Sequence, residues 1–205
     1  MRSRIQLLVL DAHGVVLNAY WPRFLREVAG LTGETEADVV RRWNNCVRAD
    51  AWLGHISDNE LWQRLIPPQH VSHDWRAILE AGYALGPAAP HLRRWTECVP
   101  IWLLSNHRTH WLRPRLERFN LLVRFPRVLV SDRIGAVKPG REMFDFVLQQ
   151  SPNPNHVLFV DDQTCNVEAA RRQGISALHA DPARDWITAV YNSLGVLPDG
   201  IRSSS

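Results

Sequence analysis

Residues 7–10, Leu-Leu-Val-Leu, run apolar without a break into Asp11-Ala12-His13-Gly14. A run of apolar residues this short and this continuous reads as a parallel strand buried on both faces. The carboxylate and glycine at its end put Asp11 where open α/β sheets carry their chemistry, at the carboxyl ends of the strands. The pattern recurs: Ile101-Trp102-Leu103-Leu104 runs into Ser105-Asn106, and Val157-Leu158-Phe159-Val160 runs into Asp161-Asp162. Three strands delivering polar groups at the same relative position imply one site.

The rest of the chain alternates in keeping with this. Helical spacing at 91–98, 111–119, 141–150, 166–173 and 185–194 interleaves with strand-like runs at 101–104, 127–131, 157–160 and 176–179. Repeated βα units predict an α/β fold, a Rossmann-like parallel sheet with helices on both faces. Between the first strand and these units lie four stretches of apolar helical spacing, Trp21 to Leu31, Ala37 to Leu53, Asp58 to Ile66 and His73 to Leu85. Thr35 reads as an N-cap, Ser57 with Glu60 as a capping box, and Pro67-Pro68 as a helix stop. The break at Gly86-Pro87 to Pro90 marks a boundary. The expected domains are therefore a catalytic core of 1–16 and 89–205 and an inserted four-helix cap of 17–88. The tail from Arg202 to Ser205 reads as disordered.

Composition excludes several alternatives. The 205 residues suffice for one domain with a large insertion. No run of ~18 apolar residues is present, so no membrane span is expected, and the stretch after Arg2 and Arg4 reads as a core strand rather than a signal peptide. Net charge is +3 with scattered arginines, which argues against nucleic acid as a partner. Three distant cysteines, Cys46, Cys98 and Cys165, make neither a metal nor a disulfide pattern, and the expected location is cytoplasmic.

The strand-end residues suggest a chemistry. Asp11 is a candidate nucleophile, since a carboxylate can attack phosphorus or carbon and form a covalent intermediate. Ser105 and Asn106 can donate to a bound oxyanion. The only lysine in the chain, Lys138, lies in a loop before the 141–150 helix and can neutralise both Asp11 and a phosphate. Asp161 and Asp162 join Asp11 in a group of carboxylates that a hard cation would stabilise, and Mg²⁺ suits oxygen ligands. Taken singly, each has a commoner reading, Asp11 as a turn or helix cap, Ser105-Asn106 as a loop, Lys138-Pro139 as a surface dipeptide and Asp161-Asp162 as a cap of the next helix; their order, each after an apolar strand, favours a site.

This ordered set resembles the haloacid dehalogenase superfamily of phosphatases over nearly the whole chain. The first family motif matches Asp11-Ala12-His13-Gly14-Val15-Val16, the second Leu103-Leu104-Ser105-Asn106, and the third Val137-Lys138-Pro139 with the helix beginning near Arg141. The fourth matches Phe159-Val160-Asp161-Asp162 with Asn166-Val167-Glu168-Ala169-Ala170. The helical insertion is similar to the family's small cap, and the likeness is strongest to sugar-phosphate and nucleotide phosphatases. The resemblance implies an aspartyl-phosphate on Asp11. It implies Mg²⁺ held by Asp11, Asp162 and the His13 carbonyl, with Asp161 supporting directly or through water. Ser105 and Lys138 would hold the phosphate of a small-molecule phosphomonoester.

The sequence departs from that family at His13. Phosphatases of the family usually carry an aspartate there, two residues after the nucleophile, for proton transfer. Three readings stay open: imidazole does the same work, or it only packs and leaves a weakly active or inactive phosphate-ligand-binding protein, or the reaction differs. Among different reactions, 2-haloacid dehalogenation works without metal and conflicts with Asp161-Asp162. Phosphonate hydrolysis needs a cap lysine, and none lies between Trp21 and Pro90. In the cap, Asn18 to Arg23, Trp43 to Arg48 and Ala51 to His55 are expected to line the pocket. Trp52 and Trp21 are candidates to stack on a sugar face or a base, with packing of the helices as the commoner role for either one, and Arg48 or His55 is a candidate to meet a second anionic group. Asn106, His107 and Arg108 are expected near the phosphate.

Overall fold

The computed structural model describes residues 5–70 and 73–197. The tail expected to be disordered lies outside them. Strand β1 (Leu7–Leu10) leads into an insertion of helices α1 (Trp21–Thr32), α2 (Glu36–Arg42), α3 (Arg48–Leu53), α4 (Asp58–Leu65) and α5 (Trp75–Ala81). The chain then alternates α6 (Leu92–Thr96), β2 (Ile101–Ser105), α7 (Thr109–Arg118), β3 (Arg127–Val130), α8 (Ser131–Ile134), α9 (Arg141–Gln150), β4 (Val157–Asp161), α10 (Thr164–Arg172), β5 (Ser176–His179) and α11 (Trp186–Leu194). The five strands are all parallel, in the order β3-β2-β1-β4-β5, as the α/β reading requires.

Alternation along β1 explains why the strand looks uniformly apolar. Leu7 and Val9 pack with Met143, Phe144 and Val147 of α9 and Val167 and Ala170 of α10. Leu8 and Leu10 pack on the opposite face with Trp95 of α6, Leu112 and Leu116 of α7, and Val190 of α11. Both faces are covered, so both parities must be hydrophobic. Register then builds the site: Leu10 pairs with Val160 on one side and Leu103 on the other, so Asp11, Asp161 and Ser105 emerge at one edge.

The insertion follows its local signals with two departures. Thr35 accepts from the Asp38 N–H, and Ser57 and Glu60 form the reciprocal capping box. The single helix expected over 37–53 is instead broken by a π turn at Trp43–Val47. The buried residues Val39, Trp43, Val47 and Ala51 recur every four positions. An unbroken α-helix would rotate such a row by about 40° per step, and the wider turn takes part of that rotation back. The helix expected over 73–85 stops at Ala81 because residues 82–86 pair with the other connecting segment. Asn18 donates its side-chain amide to the Gly82 carbonyl (2.9 Å), and the Gly86 N–H donates to Val16 (2.8 Å). A Cβ on Gly86 would lie 2.5 Å from the Val15 carbonyl oxygen, so only glycine allows the two connections to run this close.

Side-chain links hold the insertion over the sheet edge. Trp111 of α7 inserts into the hydrophobic cluster of the insertion, stacks on Trp62 (5.5 Å between centroids), and donates to Asp58 (2.8 Å). Arg108 pairs with the same Asp58 (3.2 Å). Arg115, fully buried, pairs with Glu80 of α5 (2.7 Å). Ser131 donates to the Trp52 carbonyl. No helix among the described residues is long and apolar enough to cross a membrane.

Candidate active site

Asp11, Ser105, Lys138, Asp161 and Asp162 converge at the carboxyl edge of the sheet. Lys138 Nζ is the hub. It donates to Asp161 Oδ2 (2.6 Å) and the Leu104 carbonyl (2.8 Å) and lies 2.9 Å from Asp11 Oδ1. Those three partners match the three protons of an ammonium. Burial works against its charge, but Asp11 and Asp161 outweigh burial and hold its pKa above the usual lysine value.

The two oxygens of Asp11 are unequal. Oδ1 takes both the Ala12 N–H (2.7 Å) and Lys138. Among the described residues nothing hydrogen-bonds Oδ2, and Asp11 lines the cavity above the sheet edge. Asp161 is fully enclosed: Lys138, the Gln163 N–H (2.8 Å) and the Asn166 amide (3.0 Å) occupy its oxygens. Burial first, and the neighbouring carboxylates after it, push Asp11 above the carboxylate range despite Lys138, and push Asp162 up to about 6.

The three carboxylates each offer an oxygen, all within 4.8 Å of one another. Asp162 Oδ1 is buried without a hydrogen-bond partner among the described residues. Gly14, at φ 77°, lets the loop after Asp11 lie against that carboxylate; a Cβ there would fall 2.6 Å from Asp162 Cγ. An excess of buried anionic oxygens, one unpartnered, around a single ammonium fits a divalent cation. Ser105 Oγ and His13 Nε2 are also buried and unpartnered. Such groups cost about 1–3 kcal/mol each when left unsatisfied, and three of them on residues lining one cavity mark a place built to hold a polar ligand.

His13 is the middle of a ring stack. It lies on His107 (4.8 Å, 18° between planes), which lies on Trp52 (5.2 Å, 27°), and Tyr83 tilts against its other side (5.3 Å). Arg115 lies 2.9 Å from His107 Nε2. Burial, then the positive charges of Arg115 and Lys138, push His13 down to about 3, so its ring is neutral.

A cavity of about 370 Å³ connects this edge to the insertion. Its upper wall includes Ala19, Trp21, Pro22, Trp43, Asn44, Arg48 and Trp52. His55 is exposed instead, 3.7 Å from Asp50, and is not in the lining. Arg108 turns to the Ile56 carbonyl (2.6 Å) and Asp58 and is not in the cavity lining. Asn106 borders the cavity, but its amide clamps Lys138 at both backbone groups (2.7 and 2.8 Å). Sequence reasoning missed Tyr83, Glu36 and the Arg115–Glu80 pair. One signal was available, since Arg115 falls on the stripe Trp111, Leu112, Leu116 that α7 buries.

Comparison with known proteins places this geometry. One curated relative is the pyrimidine 5'-nucleotidase YjjG of Escherichia coli, 29% identical over 103 residues. That match covers 49% of this chain and 42% of the relative, so the chain spans under half of its length. Phosphatase MT3486 of Mycobacterium tuberculosis is 26% identical over 96% of this chain and 98% of its own. A structure of the HAD family enzyme bt-2542 of Bacteroides thetaiotaomicron, complexed with magnesium and inorganic phosphate, shares the fold. Its TM-score is 0.71 at 19% identity, covering 90% of this chain and 98% of that one. The haloacid dehalogenase-like hydrolase family matches residues 5–174. That span takes in the first four strands and the whole helical insertion, and the chain belongs to the haloacid dehalogenase-like hydrolase family.

Proposed function

We propose that the chain hydrolyses a small-molecule phosphomonoester through an aspartyl-phosphate on Asp11. One observation carries this: Asp11 keeps one oxygen anchored and the other free, beside the unpartnered Ser105 Oγ and Asp162 Oδ1. Phosphatase names among the relatives and the magnesium and phosphate of bt-2542 support the same reading. Residues 1–16 with 89–205 form the chemical body in this reading, and 17–88 the cover that excludes water.

Asp11 Oδ2 attacks phosphorus, the P–O bond to the leaving group breaks, and water then cleaves the acyl phosphate at phosphorus. Ser105 Oγ donates to a phosphoryl oxygen. Lys138 orients Asp11 and balances its charge, while Asn106 and Asp161 position Lys138. Mg²⁺ would be held by Asp11, Asp162 and the His13 carbonyl, with Asp161 behind them. It supplies charge neutralisation on the transferring group. His13 Nε2, unpartnered among the described residues, is the proton-transfer group in this reading; the negative charge of a bound phosphoryl group raises its pKa from the low value that burial sets, so that the ring can take up a proton and pass it to the leaving oxygen.

Phosphate release from phenyl phosphate and from sugar phosphates tests the reading. Release is expected with Mg²⁺ and absent with chelator, and Mg²⁺ is expected to raise the melting temperature by binding only the folded carboxylate cluster. Turnover that persists in chelator would remove the metal from the scheme.

A second reading, a phosphate-ligand binder with weak turnover, is favoured by the packing of His13 between His107 and Tyr83. His13→Asp separates the two. If imidazole does the proton transfer, the variant is expected to stay within about tenfold of the parent. A rise of about 10²-fold or more, the size of a restored general acid–base group, would favour the second reading.

A further inference from the structure

Arg48 is the charged side chain of the cavity wall that the chemistry above leaves unused. Among the described residues its guanidinium has neither an ion pair nor a hydrogen bond. Glu36, which lines the same wall, is paired with Arg26 (3.2 Å). Lys138, the other cation of the lining, is surrounded by Asp11, Asp161 and the Leu104 carbonyl. The unmatched charge of the upper cavity is therefore positive, and it resides on Arg48.

The π turn sets its place. The Arg48 N–H donates to the Trp43 carbonyl five residues back. In an unbroken α-helix residues five apart sit about 140° around the axis. The wider turn closes much of that angle, and Trp43 and Arg48 both border the cavity. Trp43 is one of three indoles packed together there. Trp21 lies 4.5 Å from Trp43 and 5.4 Å from Trp52, and Trp43 and Trp52 are 5.2 Å apart. Their planes are tilted at 47°, 63° and 74° to one another, so they form an aromatic wall of ring edges and faces with one guanidinium at its margin. Among the described residues the three indoles offer a polyol one buried, unpartnered donor, Trp21 Nε1, and offer an aromatic body both ring edges and ring faces to pack on. One planar guanidinium without a second cation suits a singly charged carboxylate better than a phosphate dianion.

We propose that the leaving group of the substrate carries a flat apolar body ending in a carboxylate, and that Arg48 reads that carboxylate. The proposal rests on the phosphatase reading. Its test compares phenyl phosphate with 4-carboxyphenyl phosphate in the parent, Arg48→Gln and Arg48→Lys. The parent is expected to favour the carboxylated ester by about tenfold in kcat/KM, the size of one charge-assisted contact, expressed in KM. The ratio is expected to fall to about one in Arg48→Gln and to recover in part in Arg48→Lys. Because the ratio is read within each variant, a general loss of rate does not affect it. An unchanged ratio in Arg48→Gln, or no preference in the parent, would overturn the proposal. Absence of release from both esters would sink the phosphatase reading instead. Calorimetric titration of the two esters into Asp11→Asn, with and without Arg48→Gln, then asks the same question of binding. Tighter binding of the carboxylated ester that is lost with Arg48→Gln supports the role of Arg48, and equal binding throughout overturns it.

Discussion

Asp11→Asn is expected to lower Mg²⁺-dependent phosphate release by about 10³-fold or more, while leaving the melting temperature unchanged or raised. The two halves of this result have separate causes. An amide cannot form the acyl phosphate, so the covalent route closes. The amide keeps an oxygen for the Ala12 N–H, the shorter of the two contacts that fix Oδ1 (2.7 Å). It also removes one of three carboxylates gathered around a single ammonium. Burial and the neighbouring carboxylates already push Asp11 above the carboxylate range, so deleting that charge relieves an existing repulsion. Phosphate release and thermal unfolding on the same preparation read both halves. A variant that keeps its rate would place the nucleophile elsewhere. One that loses both rate and several degrees of melting temperature would make Asp11 chiefly structural.

The sheet and its polar edge were legible because parallel strands covered on both faces leave an unmistakable trace. Four apolar residues running into Asp11, and four into Asp161, leave little room for another element, and register aligns their ends. The insertion was legible helix by helix where caps are local, as at Thr35 and Ser57. What stayed hidden is what depends on partners distant in sequence. Arg115 meets Glu80 across 35 positions, and no local pattern announces that pair. Asn106 reads as an oxyanion donor until Lys138, 32 residues on, is seen to take its amide. Arg48 and His55 were equivalent candidates in the sequence. The π turn turns one to the cavity, and the bend after Gly54 leaves the other exposed.

The second large effect concerns Lys138. Lys138→Met keeps the length of the stem and removes the charge, and it is expected to cost about 3–5 kcal/mol at pH 8, the range for breaking a buried pair on one side. The cost should shrink at pH 5, and the sign follows from the carboxylates. Asp162 is raised to about 6, and Asp11 is raised as well. Such groups hold protons in the folded state that the unfolded chain has released above about pH 4. Their contribution is present below the unfolded pKa and is lost as pH rises through the folded one. In the parent, Lys138 limits that loss by favouring the ionised forms. Without it the folded pKa values of Asp11 and Asp162 climb further, so the difference between parent and variant widens from pH 5 to pH 8. Urea unfolding at both pH values reads this directly. A divalent cation supplies positive charge to the same oxygens, so Mg²⁺ at pH 8 is expected to restore more stability to Lys138→Met than it adds to the parent. A penalty that is equal at both pH values and indifferent to Mg²⁺ would mean that Lys138 acts through packing, and that the carboxylates beside it are not the charge reservoir their geometry describes.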